Sequence, residues 1–71
     1  MTFKDLMFEI MIRCDCNQRE LAYAAGLAPD QLSRYKRGQM PTLMTLQRII
    51  RVANEKAKMN VTYKDIEDVI L

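Results

Sequence analysis

The sequence predicts an all-α fold: one small domain of five short helices. Three observations carry that expectation. Apolar side chains recur at three- and four-residue steps, the spacing that builds one face of a helix. Capping residues stand where those runs begin, and glycine stands where two of them stop. Strand signals do not recur, and 71 residues make one domain at most.

Each helix has its own start and stop. Thr2-Phe3-Lys4-Asp5 resembles a capping box, with Asp in place of the usual Glu. Behind it, Phe3, Leu6, Met7, Ile10 and Met11 share a face, and the first helix should fade near Arg13 to Asp15. Asn17-Gln18-Arg19-Glu20 is a second capping box. The second helix runs through Leu21, Ala22 and Ala25 and stops at Gly26, where glycine takes the left-handed conformation without a Cβ clash. Pro29 suits the first position of the third helix, because its missing N–H costs nothing there. Leu32 and Tyr35 should face inward, and Gly38 should end that helix. Pro41-Thr42 opens the fourth, with Leu43, Leu46, Ile49, Ile50 and Ala53 as its expected buried stripe. It should end between Asn54 and Lys58. A last short helix is expected from Thr62, with Asp65 at the capping position and Ile66, Val69 and Ile70 apolar.

Composition narrows the chemistry. Cys14 and Cys16 are too close in sequence to staple distant parts of the fold. With no histidine and no C-x-x-C pair, no metal site is expected. Both thiols read as reduced, small side chains at a helix end rather than a redox switch, in a cytosolic setting. There is no signal-peptide pattern, and no apolar run approaches the roughly 18 residues of a membrane helix. A soluble cytoplasmic protein is expected, with no cofactor, no membrane partner and no small-molecule ligand. Ser33 is the single serine, and no glycine-rich phosphate loop is present, so nothing resembles a nucleophile–base pair or a nucleotide cradle. An enzyme is not expected.

Charge is uneven. The net charge is +2, yet residues 31–58 carry seven basic side chains against Glu55 alone. A polyanion partner and an ordinary solvated helix face both account for that bias. The third helix favours the first. At 100° per residue, Asp30, Arg34 and Arg37 fall within about 60° of one another, roughly opposite Leu32 and Tyr35. Gln31 and Ser33 flank that row. Arginine pairs with guanine O6 and N7, glutamine with adenine, and aspartate with the cytosine amino group. Two short helices joined by a tight glycine turn describe a helix-turn-helix over about residues 17–38.

The segments Asn17–Ala22, Ala25-Gly26-Leu27, Leu32–Gly38 and Pro41-Thr42-Leu43 resemble the helix-turn-helix of phage repressors and Cro proteins, the XRE or Cro/C1-type family. The resemblance covers about residues 3–54. It implies a lambda-repressor-like domain whose third helix enters the DNA major groove, usually as a homodimer on a two-fold operator. By position, Pro29, Asp30, Gln31 and Arg34 are the expected base contacts. Asn17, Gln18, Ser33, Lys36, Arg37 and Gln39 are the expected contacts to the DNA backbone; Gln31 also stands near phosphate. The family often pairs Glu at position 36 with Arg at position 11. Lys36 and Met11 stand there instead, which frees Lys36 to lean toward phosphate. Pro29 offers apolar contact alone, and Ala28 leaves the third helix weakly capped. Arg48 and Arg51 read more readily as a solvated face than as DNA contacts. The six methionines read as gap-filling core or dimer surface.

The functional expectation is a DNA-binding repressor of phage or prophage type, with residues 54–71 as a possible dimerisation region. A protein-interaction module, antitoxin-like or adaptor, is the alternative, supported by the acidic and apolar tail Asp65, Ile66, Asp68, Val69 and Ile70. An activator touching polymerase through Glu9, Asp15 or Glu20 is a third reading.

Overall fold

Four α-helices and one 3-10 turn make up the fold in the computed structural model, which describes residues 1–69. They are α1 (Phe3–Cys14), α2 (Gln18–Ala24), α3 (Pro29–Lys36) and α4 (Leu43–Glu55). The expected fifth helix is a single 3-10 turn, Tyr63–Asp65. Ile66, directly after it, is extended (φ −100°, ψ 104°), so the helix does not continue. Ile70, expected on that face and in the tail, lies outside the described residues. No strand occurs among the described residues.

Local chemistry sets the helix ends. Thr2 Oγ1 accepts from the Asp5 N–H, and Asp5 Oδ2 accepts from the Thr2 N–H. The hydrogen bond from the Thr2 backbone, and then one from the Thr2 side chain, hold the Asp5 carboxyl below the usual carboxylate range. Asn17 and Glu20 form the same reciprocal pair, at 2.8 and 2.9 Å. Helix α1 ends on Asp15, which takes the left-handed conformation (φ 50°) that short polar side chains tolerate. Gly26 ends the α2 segment at φ +71°, with the Leu27 N–H donating to the Ala22 carbonyl at 2.8 Å.

The core gathers Phe3, Leu6, Met7 and Ile10 of α1, Leu21 and Ala22 of α2, Leu32 and Tyr35 of α3, and Leu46, Ile49 and Ala53 of α4. Helix α4 sits differently from expectation. Leu43 is 51% exposed and Ile50 is half-buried, whereas Thr45 and Val52 are buried. On a 100° wheel the buried arc runs from Leu46 back through Ala53 and Ile49 to Thr45 and Val52, which leaves Leu43 and Ile50 about 40–60° beyond its edge. The buried face is therefore rotated away from the stripe that hydrophobicity alone selects.

The acidic tail is also placed differently. Ile66 is buried at 4% exposure. Asp68 Oδ1 accepts from the Phe3 N–H at 2.9 Å, and the Glu67 N–H donates to the Met1 carbonyl. Asp65 Oδ2 accepts from the Thr62 N–H at 2.8 Å. A carboxylate at the start of α1 meets unpaired amides and the positive end of the helix. Of the tail residues expected to face a partner, Asp68 thus caps this chain's own first helix, Ile66 joins its core and Asp65 caps its own turn. Asn54 fixes the connection by exchanging two hydrogen bonds with the Val61 backbone, at 3.1 and 2.9 Å.

Of the methionines, Met7 is buried, Met11 and Met59 are half-buried, and Met1, Met40 and Met44 are exposed. Cys14 and Cys16 are free thiols packed at the core's edge. Partial burial, then the nearby Cys14, pushes the Cys16 thiol up from its ordinary range. No helix among the described residues is long and apolar enough to cross a membrane.

Candidate nucleic-acid interface

Helix α3 is held from behind. Leu32 is 1% and Tyr35 6% exposed. The Tyr35 ring meets Phe3 of α1 edge-on, with centroids 5.5 Å apart and planes at 77°. The opposite face carries Asp30, Arg34 and Arg37, all exposed. Asp30 and Arg34 make no ion pair with each other; among the described residues the ion pairs join Met1 to Glu67 and Glu9 to Arg13. The Arg34 guanidinium therefore faces solvent without an internal carboxylate partner.

The flanking polar groups are partly committed. Ala28 offers no side-chain cap, but Gln31 Oε1 accepts from the Ala28 N–H at 2.9 Å. Half of a capping box thus makes good the missing cap, and it leaves the Gln31 amide nitrogen as its group for an outside acceptor. Gln18, the first residue of α2, donates from Nε2 to Ser33 Oγ at 2.7 Å. That bond ties α2 to the middle of α3 and leaves the Gln18 carbonyl oxygen and the Ser33 hydroxyl hydrogen for other partners. Pro29 is half-buried at the first position of α3. Asn17 spends its side-chain oxygen on the Glu20 amide. Gln39 is exposed, its own amide bonded to the Arg34 carbonyl.

The two cations at the end of α3 differ. Arg37 Nε donates back to the Ser33 carbonyl at 3.3 Å, which keeps the guanidinium along its own helix. Lys36 places its Nζ 5.8 Å from the centroid of the Phe8 ring on α1. The lysine freed by Met11 thus leans on an aromatic face that the sequence did not single out. Gly38 follows at φ +111° and turns the chain toward Pro41 and α4.

Two groups read as possible polymerase contacts are engaged elsewhere. Glu9 accepts from Arg13 at 2.8 Å, and Glu20 caps α2. Sequence reasoning also missed the role of Arg48. Its Nη1 donates to the Gly26 carbonyl oxygen at 3.0 Å, across 22 residues. No local signal announces that pairing; only the packing of α4 beside the turn creates it.

Two short helices packed on each other around a glycine turn, the second presenting a charged outer row, define a helix-turn-helix domain. A helix-turn-helix family model matches residues 8–59, and the chain belongs to that family, the XRE or Cro/C1-type. The family is one of DNA-binding regulatory domains. Neither a curated protein nor a solved structure matches the chain significantly.

Proposed function

We propose that the chain is a sequence-specific repressor of phage or prophage type. It binds duplex DNA as a homodimer, with α3 of each copy in successive major grooves about 34 Å apart. The observation that supports this reading is the exposed row Asp30, Arg34 and Arg37 on a helix anchored through Leu32 and Tyr35. Rigid anchoring matters, because a side chain discriminates base edges only when its helix cannot roll.

In this reading Arg34 reads a guanine edge, Asp30 a cytosine amino group, Gln31 an adjacent edge through its free amide nitrogen, and Pro29 a thymine methyl. Gln18, Ser33, Lys36, Arg37 and Gln39 approach the phosphates, and Asn17 orders the α2 end that carries Gln18. Repression follows from blocking polymerase. Because dimerisation and DNA binding are linked by mass action, occupancy tracks protein concentration.

Selection of bound sequences from a random duplex pool tests the reading. A palindrome with half-sites one helical turn apart is the expected result. Recovery of no consensus, with no steep fall of affinity as salt rises, removes it in favour of a protein-binding module.

A further inference from the structure

Helix α4 reaches the helix-turn-helix unit through one polar strut. α4 packs on α1, while α2 and α3 pack chiefly on each other. Among the described residues, the hydrogen bond from Arg48 Nη1 to the Gly26 carbonyl oxygen is the one such bond between α4 and residues 17–38. The acceptor lies just past the end of α2, where carbonyls lack intrahelical partners and carry the negative end of the helix dipole. A guanidinium suits that position in both charge and donor geometry. The contact is close enough that a Cβ on Gly26 would stand 3.1 Å from the same nitrogen. Helix α4 holds the donor steady, because Thr45 and Val52, one turn before and one turn after Arg48, are buried.

We propose that Arg48 is a positioning residue for DNA recognition: its guanidinium holds the α2–α3 turn against α4 and so sets the tilt at which α3 meets the duplex. The proposal rests on the DNA-binding reading above. Arg51 supplies an internal control. It lies one turn further along α4 and lines the same cleft, beside Tyr23 and Met44, yet its side chain makes no hydrogen bond or ion pair among the described residues. Removing either arginine deletes one positive charge from one place. Only removal of Arg48 deletes the strut.

The test compares Arg48→Ala, Arg48→Lys and Arg51→Ala with the unaltered chain, on the selected duplex and on random duplex, across a salt series. Arg48→Ala is expected to lower the ratio of selected to random affinity about threefold to tenfold, the range of one net hydrogen bond in solvent-exposed surroundings. Its salt slope should stay within about half a unit of the unaltered chain, since no phosphate contact is lost. Arg48→Lys should recover most of the ratio, and Arg51→Ala should leave it unchanged. A salt slope reduced by about one unit makes Arg48 a phosphate contact and overturns the proposal. So does an equal effect of Arg48→Ala and Arg51→Ala, which reduces both to general charge. The turn is also read without DNA, from the amide chemical shifts of Gly26 and Leu27, which Arg48→Ala should move and Arg51→Ala should not. Failure of the unaltered chain to bind any duplex overturns the DNA-binding reading; unmoved turn shifts in Arg48→Ala overturn the positioning role.

Discussion

Gln18 Nε2 and Ser33 Oγ lie 2.7 Å apart, so the first residue of α2 is bonded to the middle of α3 on the side that carries the candidate contacts. The pair is part-buried and joins residues 15 apart in sequence. It fixes the angle between the two helices at the point where both would approach a duplex. A double-mutant cycle with Gln18→Ala and Ser33→Ala should therefore show non-additivity of about 0.5–1.5 kcal/mol in unfolding free energy. Simple additivity in denaturant titrations removes the coupling.

Arg34 and the two cations after it should separate by the kind of loss they cause. Arg34→Ala is expected to cost about 1–3 kcal/mol on the selected duplex and to flatten base preference at one position. Lys36→Ala and Arg37→Ala should weaken every duplex alike and lower the salt slope by about one unit each. Affinity measured on selected and random duplexes over a salt series distinguishes the two patterns. Equal losses on both duplexes for Arg34→Ala withdraw its role in base reading.

The rotated face of α4 makes a prediction that hydropathy alone does not. Leu46 is fully buried, while Leu43 is half exposed in the first turn of the same helix. Leu46→Ala should destabilise the domain by about 2–5 kcal/mol. Leu43→Ala should fall within about 0.5 kcal/mol of the unaltered chain. Thermal or urea unfolding reads both, and comparable losses at the two positions contradict the rotation.

Gly26 should resist substitution for two reasons. Its φ of +71° strains any L side chain, and a Cβ there crowds Arg48 Nη1. Gly26→Ala is expected to cost more than about 1 kcal/mol, most of it backbone strain, because the arginine tip can move aside. Gly38 at φ +111° has open space beyond it, so its substitution meets strain without a clash. Denaturant midpoints of the two alanine variants, each alone and with Arg48→Ala, separate the terms. Relief by Arg48→Ala is expected at position 26 and not at position 38.

The raised Cys16 thiol gives a pH test. Burial disfavours its thiolate in the folded chain, so the stability it contributes is complete below the unfolded thiol range and is lost as pH rises through that range and beyond. Alkylation of Cys16 at pH 8 should be slower in the folded protein than in denaturant. Peptide mapping by mass spectrometry reads the rates, and equal rates contradict the shift. Asp5 runs the other way. Its carboxyl is depressed in the fold, so the stability it contributes is present above its unfolded value and is lost as pH falls through the folded one. Asp5→Asn should flatten the acid limb of the unfolding profile.

The sequence by itself determined the first four helices, the turn and the family. Capping boxes at Thr2 and Asn17, Pro29 at a helix start, and the glycines after α2 and α3 act within three or four residues, so their chemistry is legible in the string. The exposed row on α3 was legible for the same reason, because Leu32 and Tyr35 fix which side is in. Tertiary structure alone decided the rest. The rotation of α4 depends on where its neighbours leave room, since Leu43 and Val52 are both apolar as letters, yet one is exposed and the other buried. Arg48 meets Gly26, Lys36 meets Phe8, and Asp68 meets the Phe3 amide across stretches too long for any local pattern to encode. Hydrogen bonds along a helix follow from spacing, whereas contacts between helices follow from how whole surfaces fit together.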